Sequence, residues 1–221
     1  MTDDRKVATP RRRANAKSGG QIARFERWRK KLPANTAYLV STVLETVVPL
    51  FIEQGFVRYP DYAANNNYAI GNNCIPLQRR SGDRWPTVEI LFHKRKHPSL
   101  GVHFSELPEN CLRWLPAGEQ VIPRSEACVV EGDAHFVLCK ELPGRFGGEF
   151  GGFGYHWFAL RPKHRLDKEC ASLRACCTWL LERFNEGLPA AWYESQGGFV
   201  DPHAFLSGGT MRMKKSVTGS G

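Results

Sequence analysis

The chain has 221 residues, 42% of them hydrophobic and 24% charged, with a formal net charge of +9 at neutral pH. These figures fit one large domain, or a medium domain with tails, and exclude a fibrous or wholly disordered chain. The longest apolar-dominated stretch, Tyr38 to Phe56, is interrupted by Ser41, Thr42, Glu45, Thr46, Pro49, Glu53 and Gln54 and reads as too polar to span a membrane.

No apolar signal-peptide core occurs in the first 35 residues, so a cytoplasmic protein without membrane contact is expected. Seven cysteines, at 74, 111, 128, 139, 170, 176 and 177, are odd in number and sit mostly among apolar neighbours. Reduced core thiols are the expectation. The charge is unevenly spread. Residues 1–32 hold 11 Lys/Arg and 3 Asp/Glu, and the rest of the chain holds 20 and 19. The basicity is therefore that of an N-terminal arm on a nearly neutral body.

Within the arm, residues 1–20 contain Arg11, Arg12, Arg13 and Lys17 and, after Met1, only Val7 as a large apolar residue. Such a stretch buries too little to fold and is expected to stay disordered. Over residues 21–32, Ile22, Phe25, Trp28 and Leu32 fall on one helical stripe, with Arg24, Arg27, Arg29, Lys30 and Lys31 on much of the remaining surface. The spacing predicts a short basic amphipathic helix docked by Phe25 and Trp28. Asn35 or Thr36 then caps a helix that runs to about Gln54 and stops at Gly55, kinked or split by Pro49.

Residues 57–73 read as loop. The alternation that follows predicts a meander: Ile75 to Arg79, Thr87 to His93 and a return through Val102 to Phe104, with turns at 81–83 and 97–101. Pro108 to Trp114 reads as a short helical turn. A hairpin is expected from Ala127–Val130 and His135–Cys139 about Glu131-Gly132-Asp133. A strand is expected from Tyr155 to Leu160, and a helix from about Leu166 to Asn185. The order predicts an α+β fold: an antiparallel sheet of about five or six strands against two long helices. Its parts are a disordered arm (1–20), the basic helix (21–32), one domain (33–206) and a flexible polar tail (207–221).

Chemical motifs are sparse. The run Gly144 to Gly154 is glycine-rich and carries Phe146, Phe150 and Phe153, but no Lys-Ser/Thr follows and no helix opens after it, so neither a P-loop nor a dinucleotide fingerprint is present. Its phenylalanines suit base stacking or a core-tucked loop. Two further basic clusters stand at Lys94, Arg95, Lys96 and His97 and at Arg161, Lys163, His164 and Arg165. Glu89, His93 and His103 form the best acid–base group, and His103 faces His93 across the expected hairpin. No His-Glu-x-x-His and no Cys-x-x-Cys occurs, so no metal site is assigned. Asp61 and Glu89 are acids of the kind nuclease chemistry needs, but Leu91 stands where a lysine would complete the motif. Cys176-Cys177 reads as helix packing.

These features favour a non-catalytic binding or accessory protein without a cofactor. Its basic residues Arg11, Arg12, Arg13, Lys17, Arg24, Arg27, Arg29, Lys30, Lys31, Lys94, Arg95 and Lys96 would meet nucleic acid or an acidic protein partner. Two alternatives stand beside it. One is a subunit of a larger assembly with an interface built on Trp85, Trp114 and Trp192. The other is an enzyme using Glu89, His93 and His103.

Overall fold

The computed structural model describes residues 21–58, 72–92, 98, 100–115, 118–138, 164–190, 198–200 and 214–215. The arm (1–20), the expected strand at 155–160 and the glycine-rich run 144–154 lie outside the described residues.

The first helix, α1, spans Gln21–Arg29. Phe25 is completely buried and Trp28 packs partly against the same core, as their spacing predicts, whereas Ile22 is exposed. The long helix expected next is two helices, α2 (Ala34–Thr46) and α3 (Val48–Glu53), meeting at Val47. Pro49 lies in the first turn of α3. It has no N–H to offer the carbonyl four residues earlier, and its ring would clash there, so the helix restarts instead of continuing. The stop after α3 is a Schellman motif at Gly55, whose φ is +81°. Phe56 N–H reaches Phe51 C=O at 3.0 Å and Gly55 N–H reaches Ile52 C=O at 3.0 Å. The Phe51 and Phe56 rings meet edge-on at 5.3 Å, the apolar contact that accompanies such a cap.

The segment Ala34–Glu53 has a mean hydropathy of 1.4, long and apolar enough to match a membrane span by length and composition. In the fold, Leu39, Val40, Val43, Val47, Val48 and Phe51 from this segment are buried in the protein core.

Among the described residues, seven strands form the main sheet. They are β1 (Val57–Arg58), β2 (Cys74–Gln78), β3 (Trp85–Phe92), β4 (Leu100–Leu107), β7 (Asp133–Leu138), β8 (Gly198–Val200) and β9 (Lys214–Lys215), in spatial order β1-β2-β3-β4-β7-β8-β9. The first five are antiparallel neighbours, β8 runs parallel to β7, and β9 returns antiparallel to β8. Lys214 and Lys215, inside the region 207–221 where a loose tail is expected, thus pair with β8. A separate hairpin joins β5 (Asn110–Leu115) to β6 (Gly118–Pro123). The long C-terminal helix, α4, covers His164–Glu186 and buries Cys170, Leu173, Cys176, Cys177, Leu180, Leu181 and Phe184. The fold is α+β.

Three further expectations fail, the first at Val57–Arg58, which reads as loop in the sequence but is edge strand β1 because it pairs with Gln78 and Leu77 of β2. Residues 110–115 are strand, not helical turn, because Cys111 and Ile122 turn inward while Leu112 and Val121 turn outward in directly opposed pairs, a period of two. The hairpin expected at 127–139 does not form either. Val129–Glu131 is a 3-10 turn, with Glu131 accepting the Cys128 N–H at 2.7 Å, and β7 pairs with β4. Gly132 makes the crossing feasible: a β-carbon there would lie 2.5 Å from Ser105 Oγ and 2.9 Å from the Glu106 carbonyl.

Period-two alternation gives the sheet two faces. Ile75, Leu77, Val88, Ile90, Phe92, Leu100, Val102, Phe104, Phe136 and Leu138 form the buried face against the helices. The opposite face carries Gln78, Thr87, Glu89 and Ser105, which are also buried. The 3-10 turn at 129–131 packs against β3 and β4, and Leu107, Cys111, Ile122 and Ala127 form a second small core.

Candidate functional site

The charge of α1 is presented by the way its apolar stripe docks. Phe25 lies 5.5 Å from Trp28 and 6.2 Å from Phe92, and Trp28 lies 6.1 Å from Phe92, ring centroid to centroid. This aromatic trio pins the helix beside the end of β3. Arg27, Lys30 and Lys31 are then exposed, Arg24 and Arg29 half-buried. Arg29 pairs with Glu26, the only acid of this segment, at 3.1 Å. Lys30, Lys31 and Leu32 continue the turn through N–H bonds to Glu26, Trp28 and Arg29 carbonyls.

Beneath this helix the structure adds a cation that sequence reading missed. Arg58, in edge strand β1, sits with its guanidinium carbon 5.3 Å from the Phe25 ring centroid. Burial lowers its pKa, Glu26 opposes that shift, and Arg29 adds to it. Nothing local marks Arg58 as special, since Val57-Arg58 looks like a loop entry. Only its pairing with Leu77 across β1–β2 places it under α1.

Of the other basic residues singled out in the sequence, Arg11, Arg12, Arg13, Lys17, Lys94, Arg95, Lys96, Arg161 and Lys163 lie outside the described residues. His164 and Arg165 open α4.

The second face of the sheet holds the acid–base group. Glu89 and His103 are directly opposed across β3–β4. His93 lies outside the described residues, and His135 appears beside them instead: its ring stacks at 13° on that of His103, 5.8 Å between centroids. Glu89 is 6% exposed and accepts the Val129 N–H at 2.7 Å. Burial pushes its carboxyl up to about 8, against the pull of that hydrogen bond. Burial and the neighbouring His103 push His135 down to about 4. At neutral pH both Glu89 and His135 are therefore uncharged, so that Glu89 has a proton to donate and His135 can accept one. His135 escaped sequence reading because β7 pairs with β4 through a chain crossing, not through the expected local hairpin. Among the described residues no three His, Cys, Asp or Glu side chains are placed to hold a metal ion.

Of the tryptophans singled out in the sequence, Trp192 lies outside the described residues and Trp85 has structural partners. Trp85 donates its indole N–H to Glu109 at 2.9 Å and lies 3.7 Å beneath the Arg124 guanidinium. Cys74, Cys111, Cys128, Cys170, Cys176 and Cys177 are buried thiols, none of them in a disulfide. Burial raises the thiols of Cys111 and Cys128 to about 12 and that of Cys177 upward as well, the opposite of what a nucleophilic cysteine needs.

Comparison of the chain with protein-family models, with curated proteins and with solved structures gave no match.

Proposed function

We propose that this protein binds a polyanion, nucleic acid foremost, through the cationic face of α1 and the arm that precedes it. The supporting observation is the complete burial of Phe25, which fixes Arg27, Lys30 and Lys31 as one outward-facing group at a set place on the body. A helix so anchored presents its charges with less ordering entropy lost on binding than a free tail would. Lys and Arg clustered in this way neutralise phosphates and release counterions.

Fluorescence anisotropy of a labelled DNA duplex against the full chain tests this. Wild type should bind with a steep salt dependence. The triple variant Arg27→Ala, Lys30→Ala, Lys31→Ala should lose roughly 2–3 units of the log–log salt slope, at about 0.9 per phosphate contact. An unchanged slope, or binding to polyglutamate but not to DNA, overturns the nucleic-acid reading, and the second result assigns an acidic protein partner.

A second reading rests on Glu89, His103 and His135. An uncharged carboxyl directly opposite one imidazole, which itself stacks on another, suits general acid–base chemistry on a small polar substrate. A screen of ligand-induced thermal shifts, compared with the His103→Ala and His135→Ala variants, tests it. Shifts that survive both substitutions remove it.

A further inference from the structure

Segment 127–131 crosses the second face of the sheet directly above Glu89. It carries the 3-10 turn Val129–Glu131, which packs against β3, β4, β5 and β7. Its own bonds are local: Glu131 N–H reaches the Cys128 carbonyl at 2.9 Å, and Ala127 N–H reaches the Arg124 carbonyl at 3.0 Å. Among the described residues, two polar contacts tie it to the strands. Val129 N–H donates to Glu89 Oε1 at 2.7 Å, and Arg113 of β5 pairs with Glu131, Nη2 to Oε2 at 3.1 Å.

Several titratable or charged groups surround Glu89. On β2, Cys74 stands two places from Pro76, which pairs with Glu89. On β4, His103 is directly opposite, and His135 of β7 stacks on His103. Cys128 and Glu131 lie in the crossing segment, with Arg113 beyond them. Burial holds both thiols neutral and keeps His135 uncharged at neutral pH. The charge that acts on Glu89 is the Glu131 carboxylate, a like charge whose partner cation is Arg113. Loss of the Glu89 proton therefore creates a buried anion beside a second anion. The Val129 hydrogen bond favours the ionised form, but burial outweighs it. Lifting the segment from β3 and β4 lets water reach the carboxylate, while the Arg113–Glu131 pair keeps it tethered to β5.

We propose that segment 127–131 is a proton-controlled latch on the second face of the sheet: it stays seated while Glu89 holds its proton and opens when Glu89 ionises. The latch is independent of the α1 polyanion reading. In the seated state burial raises the Glu89 carboxyl from 4.5 to about 8, whereas in the open state water restores its ordinary value. Seating is therefore fully present below about 4.5 and is lost as pH rises through about 8, the open population growing about tenfold per pH unit in between.

Amide hydrogen exchange of the full chain, followed by mass spectrometry between about pH 5.5 and 7.5 and corrected for intrinsic exchange, reads this opening in peptides within 127–132. Across that interval the wild-type segment should open roughly fiftyfold to a hundredfold more. Peptides from β3 and β4 should rise about tenfold less, because their opening also frees His135, whose slope has the opposite sign below 6.5. Glu89→Gln keeps an acceptor for the Val129 N–H and does not ionise, so its segment should open to the same extent throughout. A wild-type profile for 127–132 that is flat, or that Glu89→Gln reproduces, overturns the latch. Exchange of 127–132 in step with β3 and β4 at every pH also overturns it, because the opening is then global unfolding. This comparison of segment with sheet needs wild type alone, so it decides the matter even where Glu89→Gln does not fold.

Discussion

Glu89→Gln isolates the buried carboxyl opposite His103. Glutamine keeps an oxygen for the Val129 N–H and matches the shape of protonated glutamate, but it does not ionise. In wild type the carboxyl's pKa rises from 4.5 to about 8 on folding. Between those values the folded state holds a proton that the unfolded state has released, so the contribution is complete below about 4.5 and is lost as pH rises toward 8. His135 works with the opposite sign. Its pKa falls from 6.5 to about 4, so its contribution is present above 6.5 and is lost as pH falls toward 4.

From pH 4.5 to 6.5 the two slopes offset each other, and above 6.5 only Glu89 still changes. At about 1.4 kcal/mol per pH unit, the interval from 6.5 to 8 removes roughly 2 kcal/mol from wild type. Glu89→Gln should be flat across that interval and should instead lose stability on acidification below 6.5, where His135 is no longer offset. Urea unfolding followed by tryptophan fluorescence at pH 5.5, 6.5 and 8 reads this directly. Groups that titrate in both proteins cancel in the difference. Parallel profiles for the two proteins would refute the assignment of Glu89 as a buried, protonated acid.

Other perturbations follow from packing. Phe25→Ala removes a completely buried ring from the aromatic trio and should cost about 3–5 kcal/mol in chemical denaturation, with weaker DNA binding and α4 still formed by circular dichroism. Arg113 and Glu131 form a buried bidentate pair, with Nη2 to Oε2 at 3.1 Å, so Arg113→Ala should cost about 3–5 kcal/mol by leaving Glu131 uncompensated. Adding Glu131→Gln to it should recover part of that loss in the same assay, and strict additivity would argue against the pair. Gly132→Ala drives a methyl group into Ser105 and the Glu106 carbonyl and should cost about 1–3 kcal/mol, visible as a lowered thermal midpoint.

Much of the scaffold is written in local pattern. The α1 stripe, the meander of β2, β3 and β4, the split at Pro49, the stop at Gly55 and the apolar stripe of α4 all follow from spacing and from single residues with restricted backbones. The strand at 110–115 was hidden because a six-residue segment beside Pro108 carries little periodicity. The pairing of β7 with β4 was hidden because Glu131-Gly132-Asp133 has the composition of a tight turn, while close contact with Ser105 and Glu106 makes it a crossing.

The sequence by itself determined that positive charge gathers before residue 33, and that Phe25 and Trp28 share one helical face, because both depend only on neighbours a few positions away. Tertiary structure alone decided that the Arg58 guanidinium lies over the Phe25 ring, that His135 stacks on His103, and that Glu89 is buried deeply enough to hold its proton. Each of these depends on strand pairing and on what covers a side chain. Register and burial arise from contacts between residues far apart in the chain, and no local spacing encodes them.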